Sequence, residues 1–175
     1  KLDNKRLSKY KQGELLGQGA FGAVYLLEDK KKVLKIINAS NYIIPKEKEI
    51  ENWGEGVEQI VNEIMSMKKL TDKKYKISPD IHDYWISNKN NSLQVYIVMD
   101  YKGITLNKWL YEKKRALKKE EIDMIDKNIE KMHKEGITHR DLHSDNILVE
   151  EENGKTKFFI TDFGLSETKK TLFNK

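Results

Sequence analysis

The 175-residue sequence contains no cysteine and only three arginines, although lysine is abundant. Without cysteine the chain can form neither a disulfide framework nor a thiolate metal site, so we expect a reducing, cytoplasmic location, in the host cytoplasm if the protein comes from a pathogen. The sequence also lacks an apolar run long enough to cross a bilayer, and no signal-peptide core follows Lys1. We therefore expect no membrane span.

The charge is basic, with a formal net value of +5, but its distribution argues against a nucleic-acid partner. Lysines are interspersed with glutamates along 113–121, a pattern typical of solvated helix faces. A basic face interleaved with aromatic rings, which a single-strand binder needs, is not evident. The length is sufficient for one domain or two small lobes with a real core.

Strands dominate the first hundred residues, as apolar and β-branched runs bounded by polar turns. Five are predicted, at Tyr10–Leu16, Ala23–Leu27, Lys32–Ile37, Ile81–Ser87 and Leu93–Met99. Between the third and fourth strands, Asn38–Glu55 is polar and predicts an insertion. One helix is predicted at Gln59–Leu70, with a buried apolar stripe at helical spacing formed by Ile60, Ile64, Met67 and Leu70.

Helices are predicted next, at Leu106–Lys114 and Glu120–Lys134, the second stopped by Gly136. Two short strands follow, Ile147–Val149 and Lys157–Ile160, joined by an acidic turn that ends in Asn-Gly.

Asp141, Asn146 and Asp162 are the residues most indicative of chemistry. Phosphoryl transfer needs a group that orients the attacking hydroxyl and oxygen ligands that hold Mg²⁺ against nucleotide phosphates. The predicted hairpin would carry Asn146 and Asp162 at one edge, at opposite ends of its two strands. These three side chains therefore predict a phosphoryl-transfer centre.

A glycine-rich segment at 17–22 has the spacing Gly-x-Gly-x-x-Gly, which lets backbone amides approach a phosphate. This spacing alone is weak and also occurs in dinucleotide-binding folds. There a helix follows, whereas Val24–Leu27 continues as a strand, so the dinucleotide interpretation lacks its required context. Lys35 then ends an apolar run.

Together, His139-Arg140-Asp141, Asn146, the Asp-Phe-Gly beginning at Asp162, the glycine segment and Lys35 resemble the eukaryotic-type Ser/Thr protein kinase family. The resemblance implies an α+β, protein-kinase-like bilobal fold. Residues 1–101 would form the nucleotide-binding N-lobe, a five-stranded antiparallel sheet with helix C, and 102–175 a reduced, mainly helical C-lobe. It also implies ATP and Mg²⁺ as cofactors and a protein substrate.

By that resemblance, particular residues take particular roles. Asp141 would act on the substrate hydroxyl, with Lys35 and Asn146 also catalytic, and Asn146 and Asp162 would bind the metal. Glu63 would pair with Lys35, with Glu58 as the fallback. The residues expected to bind the nucleotide are Leu16, Gly17, Gln18, Gly19, Ala20, Phe21, Gly22, Ala23, Val24, Val33, Lys35, Glu63, Met99, Asp100, Lys102 and Leu148.

The resemblance further implies that His139 supports the catalytic loop and that Arg140 holds a phosphate or carboxylate on the activation segment. One departure is His143, at a position where most Ser/Thr kinases have lysine. Asp-Leu-His with Asn three residues later also resembles small-molecule phosphotransferases such as aminoglycoside and choline kinases. That activity, and an inactive nucleotide-binding scaffold, remain alternatives to protein phosphorylation.

Eleven residues follow Gly164, so we expect a minimal or truncated kinase of a viral or bacterial-effector type. Ser166, Thr168 and Thr171 are candidate phosphorylation sites. We nevertheless expect constitutive activity or activation by a scaffold or partner protein rather than by loop phosphorylation.

Overall fold

The computed structural model describes residues 2–19, 22–39, 53–89 and 92–168, which form two compact units. Unit 1 comprises Lys1–Ile60 and Ile81–Tyr101, and unit 2 comprises Val61–Asp80 and Lys102–Lys175. The predicted lobe division at 101/102 stays a prediction; by packing, residues 61–80 belong with unit 2.

Unit 1 contains a five-stranded antiparallel sheet in the order β1-β2-β3-β5-β4. Its strands are β1 Gln12–Gly19, β2 Gly22–Leu27, β3 Lys32–Asn38, β4 Ile81–Lys89 and β5 Ser92–Asp100. The sheet confirms all five predicted strands and the α+β class. β5 lies between β3 and β4, and Val95 to Met99 are consecutively buried, so this strand is covered on both faces.

A short helix, α1 Leu2–Leu7, precedes the sheet and was not predicted. Its Arg6 pairs with Asp83 and stacks 5.2 Å from the Trp85 ring centroid. Tyr10, predicted as the start of a strand, instead precedes β1 and stacks on Trp85, which stacks in turn on Tyr96. Tertiary contacts therefore account for this helix, which has too little apolar periodicity to be predicted.

The helix predicted at Gln59–Leu70 is longer, α2 Trp53–Lys73. Its predicted apolar stripe is deeply buried at Met67 and Leu70 but half-buried at Ile60 and Ile64. The predicted insertion at Asn38–Glu55 lies outside the described residues at 40–52, and its final residues 53–55 belong to α2.

Unit 2 adds two helices, α3 Leu106–Lys113 and α4 Lys119–Lys134, close to their predicted bounds. Thr105 caps α3 by accepting from the Lys108 amide, and Gly136, with φ 73°, follows the end of α4 as predicted. Its strands are β6 Ile104–Thr105, β7 Ile137–Thr138, β8 Ile147–Glu152, β9 Lys155–Ile160 and β10 Glu167–Thr168. They form a three-stranded sheet β6-β8-β9 and a two-stranded ribbon β7-β10.

The core of unit 2 packs α3 and α4 against the β8–β9 hairpin. Trp109 is 2% exposed and meets Phe158 edge-on, with ring centroids 6.4 Å apart. The hairpin turns at Asn153 and Gly154, both with positive φ (52° and 76°), which confirms the predicted Asn-Gly turn. Among the described residues, no helix is long and apolar enough to cross a membrane.

Candidate active site

The loop that follows β7 is organised by His139, which is 2% exposed. Its Nδ1 accepts a hydrogen bond from the Asp141 amide (3.2 Å), so in the neutral ring Nε2 carries the proton and donates to the Thr161 carbonyl (2.8 Å). The ring also lies against the fully buried Phe163, at a centroid distance of 5.2 Å. His139 thus links Asp141 to the residues on either side of Asp162, as the supporting role predicts.

Arg140 adopts a left-handed backbone, with φ 70°, and its guanidinium binds the Glu167 carboxylate. Glu167 lies in β10, which pairs with β7 immediately before the loop. The expectation that Arg140 holds an acidic group after Asp-Phe-Gly is therefore confirmed. Sequence reasoning did not identify Glu167 itself.

Asn146 is 6% exposed and is aligned by Asp141. Its Nδ2 donates to the Asp141 main-chain oxygen (2.8 Å) and lies 3.3 Å from Asp141 Oδ2. The amide nitrogen is therefore engaged in hydrogen bonding within the loop, and Oδ1 is the atom that can bind a cation.

The hairpin brings Asn146 and Asp162 to one edge, as predicted. The Thr161 amide donates to the Asn146 carbonyl at 3.0 Å, which fixes the end of β9 beside the start of β8. Asp162 follows with φ 59°, a strained conformation for a residue with a side chain, and its side chain is exposed. Within the described residues, its carboxylate has no hydrogen-bond or ion-pair partner.

This donor set fits Mg²⁺ bound together with a nucleotide. Hard oxygen atoms are available from the Asp162 carboxylate and the Asn146 amide, and Mg²⁺ is usually held by one or two such groups plus phosphate oxygens and water. No cluster of three His, Cys, Asp or Glu side chains suited to a metal occurs among the described residues. The protein ligands are thus too few to coordinate Mg²⁺ alone. They suit an ion that is also coordinated by nucleotide phosphates.

His143 lies beside the same carboxylate. Its Nδ1 lies 3.3 Å from the Asp145 amide nitrogen, and its Nε2 lies 3.2 Å from Asn146 Nδ2 and 3.6 Å from Asp141 Oδ1. When protonated, a histidine in this position presents N–H donors where the kinase pattern has a lysine ammonium. The ring and the Asp141 side chain are both about half exposed, at 49% and 43%.

In unit 1, several predicted nucleotide-binding residues share one face of the sheet. Register pairs place Gly17 opposite Val24, Val24 opposite Lys35, and Val33 opposite Met99. Directly opposed residues project to the same side, as do residues two apart on a strand. All five residues therefore lie on one face; Gln18 and Ala23 pair with each other at the same hairpin.

The three glycines of the β1–β2 hairpin differ in which atoms an added Cβ would contact. At Gly22 a Cβ would lie 2.0 Å from the Ile36 carbonyl oxygen, so packing against β3 requires glycine. At Gly17 and Gly19 no described atom lies within 4 Å of that position. The described fold does not itself account for these two glycines, which fits close approach by a ligand. The loop residues Ala20 and Phe21 lie outside the described residues.

The remaining predicted residues are dispersed along the chain. Leu16 is exposed at an irregularity of β1, and Leu148 is half-buried in β8. The Asp100 side chain lies 2.6 Å from His82 Nε2. Lys102 lies over the Phe159 ring at 4.9 Å. The nucleotide-binding roles of Asp100 and Lys102 stay predictions.

Glu63 is 5% exposed, whereas Glu58 is exposed, so burial favours Glu63 as the functional glutamate of α2. Its pairing with Lys35 stays a prediction.

Of the candidate phosphorylation sites, Ser166 is fully buried, which argues against its modification in this conformation. Thr168 is half-buried in β10, and Thr171 lies outside the described residues.

Comparison with known proteins assigns a class to this arrangement. Residues 10–172 match the family described as protein kinase domain. Because this match covers most of the chain, the protein belongs to the protein kinase domain family.

Several of its curated relatives are named as serine/threonine-protein kinases or as a calcium/calmodulin-dependent protein kinase. The chain is 33% identical over 169 residues to the serine/threonine-protein kinase pakH of Dictyostelium discoideum, covering 93% of this chain and 29% of the relative. It is 30% identical over 163 residues to calcium/calmodulin-dependent protein kinase type 1 of Macrobrachium nipponense, covering 91% and 44%. It is 29% identical over 160 residues to the ovarian-specific serine/threonine-protein kinase Lok of Drosophila melanogaster, covering 87% and 32%. The chain thus spans less than half the length of each of these relatives.

Proposed function

We propose that this chain transfers the γ-phosphate of ATP to a serine or threonine hydroxyl of a protein. The observation that carries the proposal is the geometry around Asp141. Its amide is held by His139, its main-chain oxygen and carboxylate lie within reach of the Asn146 amide, and its side chain remains partly exposed. A carboxylate fixed in this way can orient an incoming hydroxyl and accept its proton.

Each residue then has a defined task. Asp141 Oδ1 or Oδ2 takes the proton as the hydroxyl attacks, and His143, when protonated, would add a positive charge 3.6 Å from the same carboxylate. Asn146 Oδ1 and the Asp162 carboxylate would hold Mg²⁺, which supplies neutralisation of phosphate charge when bound. In unit 1, Lys35 on the shared sheet face would bind the phosphates, with Gly17 and Gly19 allowing close backbone approach.

The relatives' names support serine or threonine as the acceptor, because several are called serine/threonine-protein kinases. The absence of cysteine favours a reducing compartment such as the cytoplasm for this activity. An activating or scaffold protein partner remains part of the proposal.

A small-molecule phosphotransferase is the second candidate, favoured by the contact of His143 with Asp141 and Asn146. The two functions are separated by the acceptor. Purified protein is incubated with Mg²⁺ and γ-labelled ATP in parallel with generic protein acceptors, an aminoglycoside and an amino alcohol, and labelled protein is hydrolysed for phosphoamino-acid analysis. Phosphoserine or phosphothreonine supports the proposal; label confined to the aminoglycoside or amino alcohol would replace it with the second candidate.

A further inference from the structure

Two serines that are one hundred residues apart in the chain meet in the interior of unit 2. Ser66 lies on α2 and Ser166 lies four residues after Asp162. Both are fully buried, and their Oγ atoms are 2.8 Å apart. Buried hydroxyls need a hydrogen-bond partner, and these two supply one another.

Ser166 is held in two further ways. Its amide donates to the Phe163 carbonyl at 3.0 Å, which closes a turn immediately after Asp162. The next residues, Glu167 and Thr168, pair with Thr138 and Ile137 of β7. The serine pair therefore connects α2 to a short segment that already joins Asp162 to the strand before the catalytic loop.

Asp162 needs such support because its backbone has φ 59°. A non-glycine residue persists in this region only when its surroundings fix it. The Phe163 ring after it is fully buried and contacts His139, whereas the Asp162 side chain is exposed. Neighbouring contacts, rather than contacts of its own carboxylate, therefore set the direction of the Asp162 side chain.

We infer that Ser66 and Ser166 form a positioning pair, which fixes the segment after Asp162 so that its carboxylate is oriented for a nucleotide-bound divalent cation. This inference rests on the proposed function and adds to it a connection between α2 and the metal ligand. Because removal of one hydroxyl leaves the other buried without a partner, either single alanine variant should have most of the effect. The double variant should add little, as expected for residues that act as a unit.

The test compares Ser66→Ala, Ser166→Ala and the double variant with Ser78→Ala, a control at another buried serine of unit 2. Two readouts need no turnover: hydrogen exchange of the backbone at 163–168 and, by electron paramagnetic resonance, the affinity for Mn²⁺ in the presence of ADP. Ser66→Ala should accelerate exchange at 163–168 and weaken Mn²⁺ binding by about tenfold, the usual effect of losing a contact that orients a metal ligand. Ser78→Ala should leave both unchanged.

The outcomes separate this inference from the proposed function. Unchanged Mn²⁺ affinity in both single variants, even with faster exchange, would show that the pair is merely structural and would overturn the inference. Weakened Mn²⁺ affinity in the serine variants, together with a wild-type protein that transfers no phosphate, would support the inference and remove the proposed function. Wild-type protein that binds no Mn²⁺ with ADP would overturn both.

Discussion

The side-chain amide of Asn146 donates to the main-chain oxygen of Asp141 at 2.8 Å. This bond gives the buried amide a fixed orientation, with its nitrogen toward the catalytic loop and its oxygen available to a cation. Asp141 is proposed to orient the substrate hydroxyl, and Asn146 is proposed to bind Mg²⁺. The positions of these two residues therefore depend on one another.

Asn146→Ala should consequently affect both metal binding and chemistry. We expect loss of Mg²⁺-dependent nucleotide binding and a fall in kcat on the order of a hundredfold, because a metal ligand and a contact to the Asp141 loop are removed together. Isothermal titration with ADP, with and without Mg²⁺, and steady-state kinetics measure the two effects.

Asn128→Ala is the matched control, since Asn128 also donates from its amide to a main-chain oxygen, that of Phe158 at 2.7 Å. It should lower the melting temperature without changing the Mg²⁺ dependence. An equal loss of Mg²⁺-dependent binding in both variants would show that Asn146 contributes through stability alone.

The glycines of the β1–β2 hairpin should separate folding from ligand binding. Gly22→Ala forces a Cβ to within 2.0 Å of the Ile36 carbonyl oxygen and should destabilise the fold by about 1 to 3 kcal/mol. Gly19→Ala meets no described atom and should melt as wild type, yet bind ATP more weakly because the new methyl group obstructs the phosphates. Chemical denaturation and ATP titration distinguish the two; unaltered ATP affinity in Gly19→Ala would remove this hairpin from the site.

His143 should be replaceable by the residue typical of the kinase pattern. His143→Ala removes the ring nitrogen that lies 3.6 Å from Asp141 Oδ1 and should lower kcat on the order of tenfold to a hundredfold. His143→Lys restores a cation at this position and should recover most of the rate. Steady-state kinetics on one protein acceptor provide the comparison, and an alanine variant as active as wild type would exclude a catalytic contribution.

Acid stability should depend on Glu121, whose carboxylate receives two hydrogen bonds from the Arg115 guanidinium (2.7 and 2.9 Å) and one from the Lys118 amide. The Arg115 contact is the main reason that the pKa of Glu121 falls to about 2. A lowered folded-state pKa gives stability that is present above the ordinary glutamate pKa of about 4.3 and lost as the pH falls toward 2.

Glu121→Gln should therefore be less stable than wild type at pH 7 by about 1 to 3 kcal/mol, with the difference shrinking between about pH 4.3 and 2. Urea denaturation across this range measures the difference. Glu130→Gln, at an exposed position of the same helix, is the control. A wild-type advantage that stays constant down to pH 2 would contradict the assigned cause.

The elements that could be predicted from sequence are those with strong local signals. The β8–β9 hairpin follows from two apolar runs around Asn153-Gly154, and positive φ at both turn residues explains why this pair was informative. The end of α4 follows from Gly136 in the same way. The motif around Asp141 and Asn146 was recognisable because its spacing is fixed by the geometry of one loop.

The rest depends on contacts between distant residues. The helix α1 is stabilised by the ion pair between Arg6 and Asp83, and no local sequence pattern predicts that these two residues meet. The early start of α2 was obscured by Gly54 and Gly56, which disfavour helices locally. Ser66 and Ser166 are common residues with no distinguishing pattern, so only the fold reveals that they meet.

The measurement that tests the central claim most directly is transfer of labelled γ-phosphate to a protein acceptor by wild type, Asp141→Asn and Asp123→Asn. Asp123 is exposed on α4 and serves as the charge-matched control. We predict labelled phosphoserine or phosphothreonine with wild type and Asp123→Asn, and a rate lower by about a hundredfold or more with Asp141→Asn, because the proton acceptor is lost. Equal transfer by all three proteins would contradict the assignment of Asp141 as the catalytic residue.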